Sequence, residues 1–491
     1  MDNSKNDKKV VTRFAPSPTG FLHIGGVRTA LYAFLYARKH GGEFILRIED
    51  TDKQREVMGS IEHIKTSLSW LGINWDYGPD KPGPFGSCIQ SERLPIYKKY
   101  GGQLIAKGLA YPDPYTAEEI ANFKQQAEIE KRPFLIREHR PVKFDVWNGT
   151  KPLRLKVPEI KRYTWQDATR GELSAGESAL DDLILIKSDG YPTYNFAHII
   201  DDFEMGVTHI MRADEFISSM PKFLSIYDAL EIPYPVFATL PPILRDDRMK
   251  KLGKRDGAKD ILDYRNDGFL PEAMVNFLAL IGWNPGTEQE IFSLEELIET
   301  FSIDKIQRAG AVFNEKKLRW MNKQHLAKLS DNDFISYISE SLPEDVDKKI
   351  TSVPDILKKL LSTLRERVEL RIQFVEDVRM GEYDFAFKTP EYETIILKWK
   401  KDADITEVAP RLKEAEKLLK TADFSSSETI KSSLWPYAEA VGKGELFWPL
   451  RVALSGREQS PDPFTIAYTI GQDETLARIK TAYGKILDDA T

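Results

Sequence analysis

The sequence predicts an α/β domain built on a parallel sheet, interrupted by an α+β insertion and followed by an all-helical domain. Three observations lead there. The opening reads strand, glycine turn, helix, strand. That pattern is broken over about 111–190 and then resumes. Beyond residue 326, about a third of the chain, only 6 of the 30 glycines occur, while helix-spaced apolar residues recur. Glycine depletion with such spacing favours helices packed on helices.

Taken in order, residues 10–14 form a short β-prone run that leads into a Pro/Gly turn. Residues 27–40 have helical periodicity, with Val27, Leu31, Phe34 and Leu35 on one side. Gly41 and Gly42 stop that helix, and residues 43–48 alternate as a second strand. Such a unit opens a parallel α/β sheet. Within the insertion, 116–131 reads as a charged helix and 153–157 as a short strand. The sheet is expected to resume at 193–200 and 207–211, followed by a charge-rich loop over 243–261 and a buried helix over 270–282. In the last third, 356–368 and 476–487 carry helical spacing.

A chain of 491 residues should hold more than one domain. With 41% hydrophobic and 30% charged residues its composition is that of an ordinary globular protein. No apolar run reaches the roughly eighteen residues of a membrane span, so no membrane role is expected. Residues 1–9 are polar and resemble neither a secretory leader nor an Arg-rich transit segment. A single cysteine, Cys88, excludes an internal disulfide and any multi-cysteine metal site, and a reducing cytoplasm is the expected compartment. The net charge of −7 argues against a uniformly basic surface, yet local basic patches can still meet nucleic-acid phosphates.

Two distant motifs carry the chemistry. The first is Arg13-Phe14-Ala15-Pro16-Ser17-Pro18-Thr19-Gly20-Phe21-Leu22-His23-Ile24-Gly25-Gly26. It sets an imidazole and two glycines at a helix N-terminus, where unpaired N–H groups and partial positive charge favour anions. Gly25 and Gly26 would let a nucleotide approach the backbone, and His23 could donate a hydrogen bond to a phosphoryl oxygen. The second is Lys251-Leu252-Gly253-Lys254-Arg255, two lysines in a charge-rich loop, suited to charge on transferring phosphoryl oxygens. Together the motifs suit a site that holds ATP, lets a carboxylate attack its α-phosphate and expels pyrophosphate. Read separately, His23 could merely cap a helix and the lysines could be a solvated loop.

The ordered set of motifs resembles class I aminoacyl-tRNA synthetases, and within them the bacterial-type glutamyl-tRNA synthetases. The first string is similar to that family's HIGH signature and the second to its KMSKS signature. Arg47-Ile48-Glu49-Asp50-Thr51-Asp52 resembles its R-I-E-D-T-D block. Asp189 to Ala197 with Asp201-Asp202, then Met205 to Arg212, follow in the family's order, and Phe447 to Arg457 with Ser460-Pro461 resembles a late helical block.

The resemblance implies a Rossmann-type catalytic domain in two halves, 1–110 and 191–242. It further implies an inserted acceptor-end domain at 111–190, a stem-contact region at 243–325 and a helical anticodon-binding domain at 326–491. It implies ATP-dependent joining of L-glutamate to tRNA-Glu, with magnesium arriving on ATP and activation requiring bound tRNA. Charging of tRNA-Gln as well is left open. A monomer is implied.

By the same resemblance, His23, Lys251 and Lys254 are catalytic, and Gly25, Gly26, His23 and Lys254 bind ATP. Arg13 and Arg212 bind carboxylate, Glu49 and Ser17 meet the ammonium, and Ala15 shapes the pocket. Tyr194 contacts the side-chain end, and His198 lies close by. Taken alone, Glu49 could be a strand-end carboxylate paired to Arg47, Arg212 a surface ion pair and Tyr194 a core aromatic. Asp50 and Asp52 are expected to structure a loop or neighbour the tRNA end rather than hold a metal.

Two departures stand out. Gly253 occupies the usual serine position of the second signature, and Tyr111-Pro112-Asp113-Pro114-Tyr115 stands where some members bind zinc through cysteines, so no zinc is expected. A glutaminyl enzyme would carry C-terminal β-barrels, and a truncated relative that glutamylates a tRNA base would lack the helical domain. A non-catalytic tRNA-binding paralogue would be expected to lose His23, Lys254 or Arg212. An unrelated nucleotidyltransferase would explain the histidine motif but not the glutamate-pocket block.

Overall fold

The structure is a computed structural model, and it describes residues 9–177, 180–245 and 259–489. The chain forms two compact units, Met1–Arg265 with Leu270–Met321, and Asn266–Phe269 with Asn322–Thr491.

The first unit opens with β1 (Val11–Phe14), α1 (Ile24–Lys39) and β2 (Glu43–Leu46). β1 and β2 pair in parallel, with Arg13 opposite Ile45 and Phe14 opposite Leu46. All four β1 residues are buried, as a strand covered on both faces requires. The predicted helical stripe of Val27, Leu31, Phe34 and Leu35 is buried. His40 closes α1, and Gly41 at φ +59° turns the chain, a backbone state that glycine adopts without steric cost. α2 (Ser60–Trp70) and α3 (Leu94–Ala106) follow.

The expected break comes next. β3 (Ala110–Pro112) leads to α4 (Ala117–Ile129), which starts on a capping box between Thr116 and Glu119. β4 (Leu153–Leu155) pairs antiparallel with β3 and with a later strand, Ile184–Ile186. Between them, β5 (Tyr163–Asp167) and β6 (Gly171–Ala175) form an antiparallel pair. β7 is the Ile184–Ile186 strand.

One expectation is corrected here. Residues 193–200 do not return to the sheet; they lie in α5 (Tyr194–Glu204). Phe196, Ile199 and Ile200 stand at helical spacing and are buried, so the helical period wins over β propensity. Thr193 caps the backbone, but its hydroxyl donates to the Ile184 carbonyl at 2.7 Å, which ties α5 to β7. The sheet resumes at β8 (His209–Ala213), two residues later than predicted. α6 (Met220–Leu230) then leads to β9 (Val236–Leu240).

β8 pairs in parallel with β9, and β9 continues to β5 and β6. The Thr208 N–H donates to the Val11 carbonyl at 2.9 Å, which brings β1 alongside the start of β8. β1 therefore has β2 as its parallel partner and the start of β8 beside it. The crevice at the C-terminal ends of such strands is where ligands bind in open α/β sheets. The predicted helix over 270–282 is α8, Pro271–Leu280, preceded by α7 (Ile261–Asp267).

The second unit contains no strand among its described residues. Its longest helices are Ser427–Val441 and Gln472–Asp489, the latter containing the predicted 476–487. The predicted 356–368 helix is divided at Leu360 into Ile356–Lys359 and Leu361–Arg367. Buried Arg478 fastens this unit by donating to the carbonyls of Leu454 (2.7 Å) and Phe385 (2.9 Å).

Candidate functional site

A cavity of about 500 Å³ opens at the β1–β8 crevice. One wall is the turn between β1 and α1. His23 is the N-cap of α1, with φ −118° and ψ 169°, and its Nδ1 accepts the Gly25 N–H at 3.1 Å. An accepting Nδ1 puts the proton of the neutral ring on Nε2. No acidic residue occupies the first turn of α1, so the helix keeps its partial positive charge for an external anion. The glycines have a packing reason: a Cβ on Gly26 would lie 2.7 Å from Leu22 Cδ1, and one on Gly25 would lie 3.0 Å from His23 Cε1. His23 thus caps the helix, as the plainer reading held, and it also lines the cavity.

The opposite wall is a buried ionic group. Arg13, in β1, forks onto Asp202 of α5, with Nε to Oδ1 at 3.0 Å and Nη2 to Oδ2 at 3.3 Å. Arg47, fully buried just after β2, donates to the same Asp202 Oδ1 at 2.7 Å and to Glu49 Oε1 at 3.0 Å. Burial pushes Glu49 up to about 7, against the pull of Arg47 and Arg13. For Asp202 burial acts upward, but Arg13 and Arg47 together hold it well below the usual carboxylate range. Glu49 is therefore paired with Arg47, as the plainer reading held, while also facing the cavity.

Arg212, in β8, differs from both. It is buried, and its Nε and Nη1 have no hydrogen-bond partner among the described residues. Phe216, Phe223 and Phe237 lie 5.1–5.7 Å from its guanidinium carbon. Burial lowers its basicity. Arg28, also on the cavity wall, contrasts with it in donating to the carbonyls of Pro241 and Ile281. Four buried arginines (Arg13, Arg47, Arg93, Arg212) stand with three buried carboxylates (Glu49, Asp201, Asp202), Asp201 lying 3.9 Å from Arg47 Nε and 2.8 Å from Arg93 Nε, which leaves one positive charge unmatched in this group. A buried cation without a partner is costly, and an anion completes it.

Ala15, Ser17 and Tyr194 line the same cavity as Arg13, Glu49 and Arg212. His198 is not on its wall. Its ring stacks behind Tyr194 with centroids 4.7 Å apart, and its Nδ1 lies 2.7 Å from the Tyr194 carbonyl oxygen. Burial drives His198 down to about 3, so its ring is neutral. Lys251, Gly253 and Lys254 lie outside the described residues. A second cavity of about 520 Å³ adjoins the first, sharing Ser17, Glu49 and Tyr194, and exposes Lys53, Arg55 and Lys187.

Asp50 is engaged by the Ser91 N–H (2.8 Å) and hydroxyl (2.6 Å), and Asp52 by Arg55. No group of three or more His, Cys, Asp or Glu that could hold a metal ion occurs among the described residues. Around Tyr111–Tyr115, Asp113 pairs with Arg154 at 2.6 Å, and Tyr111 donates to Asp182 at 2.8 Å.

Sequence reasoning placed Asp202 in a family block without giving it a role, and gave Arg47 none beyond a partner for Glu49. A signal existed: Arg13 and Arg47 both sit in or beside predicted buried strands, and buried arginines need a carboxylate.

Comparisons with known proteins agree with this geometry. Residues 9–320 match the catalytic domain of the tRNA synthetases class I (E and Q), and residues 332–483 match an anticodon binding domain. A glutamate–tRNA ligase of Clostridium tetani is 38% identical over 499 residues, covering 99% of each chain. One of Clostridium botulinum is 40% identical over 498 residues, covering 97% of this chain and 99% of that one. A crystal structure of a glutamate tRNA ligase from Elizabethkingia meningosepticum in complex with its amino acid superposes with a TM-score of 0.84 at 34% identity, covering 97% of this chain and 99% of that one. The glutamate-tRNA synthetase of Elizabethkingia anophelis gives 0.83 at 34% identity, covering 97% and 100%.

Proposed function

The chain belongs to the class I tRNA synthetases of the glutamate and glutamine branch, and from that premise we propose that it is a glutamate–tRNA ligase. It joins L-glutamate to the terminal adenosine of tRNA-Glu with ATP as the second substrate. The observation that carries the reading is Arg212, a buried guanidinium whose Nε and Nη1 lack partners among the described residues, on a cavity wall shared with Glu49 and the α1 N-terminus.

The residue roles follow from the charges. Arg212 and the remaining face of Arg13 take the side-chain carboxylate of glutamate, whose planar pair of oxygens suits guanidinium. Tyr194 lies beside that end. Glu49 and Ser17 receive the ammonium, Ala15 keeps the pocket wall low, and His198 supports Tyr194 from behind. L-glutamate carries one net negative charge and cancels the spare positive one. Glutamine carries none, so it would leave Arg212 unmatched. That difference is the basis of amino-acid selection.

The α-carboxylate of glutamate attacks the α-phosphorus of ATP in line, and pyrophosphate leaves. His23, through Nε2–H, together with the α1 N-terminus, stabilises charge on the phosphate oxygens; Gly25 and Gly26 keep that turn tight. Lys251 and Lys254 neutralise the departing pyrophosphate, and magnesium enters on the nucleotide. The ribose 2′-hydroxyl of the terminal adenosine then attacks the activated carbonyl. The ester forms and AMP leaves. No protein nucleophile is needed, because positioning and electrostatics lower the barrier.

The division into 1–110, 111–190, 191–242, 243–325 and 326–491 is retained as the functional map, with 111–190 receiving the acceptor end. The last part reads the anticodon by stacking and hydrogen bonding to splayed bases. A cytoplasmic monomer that binds tRNA-Glu completes the reading, and charging of tRNA-Gln is decided by experiment. The test is ATP–pyrophosphate exchange with glutamate, with and without tRNA-Glu. Glutamate-dependent exchange that requires tRNA is expected. Exchange driven equally by glutamine, or none from folded protein with tRNA present, would reject the proposal.

A further inference from the structure

One histidine away from the cavity wall joins the first motif to the segment beginning at Asp260. His63 lies on α2, and its Nδ1 accepts the Leu22 N–H at 3.2 Å. Its Nε2 lies 2.7 Å from Asp260 Oδ1. With Nδ1 accepting from a backbone amide, the neutral ring carries its proton on Nε2 and donates it to Asp260. The ring stacks on Phe21, with centroids 4.6 Å apart and planes at 19°.

Asp260 is itself joined to the same turn. It forms an antiparallel bridge with His23, and the Ile261 N–H donates to the Leu22 carbonyl at 3.1 Å. Its Oδ1 also accepts the Leu262 N–H at 2.9 Å, which starts α7. From the other side, the Ser60 hydroxyl donates to the Gly20 carbonyl at 2.8 Å. The turn that carries His23 is therefore clasped between α2 and the segment beginning at Asp260. In sequence that segment follows Lys254 by six residues.

We propose that His63 is a positioning residue. Through Leu22 and Asp260 it fixes where the segment beginning at Asp260 meets the backbone of the first motif. The turn that carries His23 is thereby held at the cavity wall, although His63 itself does not line that wall. This inference rests on the reading of the cavity as the site of ATP-dependent activation. It goes beyond that reading by assigning the placement of the His23 turn to a specific pair, His63 and Asp260.

Two substitutions divide the clasp. In His63→Asn the amide oxygen can still accept from Leu22, while the reach to Asp260 is lost. In His63→Gln the longer side chain can reach Asp260, while the acceptor for Leu22 is lost. The assay is tRNA-dependent ATP–pyrophosphate exchange, with separate titrations of ATP and glutamate, run beside a thermal unfolding curve of the full chain. His63→Asn is expected to lower kcat/KM for ATP about tenfold or more, the effect of one charge-assisted hydrogen bond, with KM for glutamate unchanged. His63→Gln is expected to recover part of that loss. Asp260→Ala, made from the other side of the same bond, is expected to lower kcat/KM for ATP at least as far as His63→Asn, since it also removes the acceptor of the Leu262 N–H. Equal ATP parameters in wild type and variants would overturn the proposal. So would ATP and glutamate KM rising together with lost stability, since that is a purely structural effect. No exchange from the wild-type protein would overturn the activation reading, and the positioning role with it.

Discussion

Replacing Arg212 with methionine separates binding from stability in a way that few substitutions allow. Its guanidinium is buried, two of its nitrogens lack partners among the described residues, and three phenylalanine rings surround it. Each unsatisfied buried polar group costs about 1–3 kcal/mol. Cation–π contacts return about 0.5–2 kcal/mol. A methionine of similar length leaves the ring contacts apolar and removes the charge. The unliganded variant should therefore unfold at the same denaturant concentration as wild type or a higher one. Glutamate should behave oppositely. Truncating one partner of a buried charged pair costs about 2–5 kcal/mol. At about 1.4 kcal/mol per decade, kcat/KM for glutamate should fall between roughly thirtyfold and several-thousandfold. The assay is aminoacylation at saturating ATP and tRNA-Glu, paired with urea unfolding with and without glutamate. Wild type at a glutamate concentration of about a hundred Kd should gain roughly 2.7 kcal/mol, and the variant almost none. A fall in kcat/KM of less than about fivefold would refute the reasoning, as would a stability loss of several kcal/mol without ligand, because Arg212 would then be a structural cation.

Three further outcomes follow, two from the same site and one from the turn between α1 and β2. Glu49 must be ionised to receive an ammonium, and burial lifts it to about 7, so kcat/KM for glutamate should fall about tenfold per pH unit below about 7 and level off above. The folded protein holds this proton more tightly than the unfolded chain, whose value is near 4.5, so stability from this group declines as pH rises between those values. Glu49→Gln should flatten both profiles, and an unchanged rate profile would assign the titration elsewhere. Asp202→Asn removes the carboxylate that Arg13 and Arg47 share, and should destabilise the first unit by about 3–5 kcal/mol in urea unfolding; a change under about 1 kcal/mol would contradict the shared-counterion role. Gly42→Ala would place a Cβ against the Val10 carbonyl oxygen, and should cost about 1–3 kcal/mol of stability, read as a shift of the unfolding midpoint.

Much of the fold is legible because its periodicities are clean. The Val27–Leu31–Phe34–Leu35 stripe, the Gly41 stop and the alternation after it correspond to α1, its end and β2. The exchange of strand for helix over 193–200 has a physical cause: Tyr194, Phe196, Ile199 and Ile200 have strand propensity, but their spacing is helical and α5 buries that face. The break at Leu360 and the joining of β5 and β6 to the strand β9 depend on distant packing, which local pattern does not encode. At the site, Arg13, Glu49, Tyr194 and Arg212 come together on one cavity as the motif order implied. Asp202, present in a recognised block, had no legible role because its importance is visible only once two arginines, Arg13 and Arg47, converge on it. His63 escaped notice for a related reason. Nothing near it in sequence distinguishes it from a surface histidine on an amphipathic helix, and its role depends on Leu22 and Asp260 meeting at its two ring nitrogens.

The most direct test of the central claim is charging of purified tRNA-Glu and tRNA-Gln transcripts with labelled glutamate, with labelled glutamine in parallel. ATP-dependent attachment of glutamate to tRNA-Glu, with no attachment of glutamine to either transcript, is the expected result. Attachment of glutamate to both transcripts would retain the glutamate site and widen the tRNA partners. Charging with glutamine, or none by demonstrably folded protein, would contradict a cavity whose unmatched Arg212 selects the extra carboxylate.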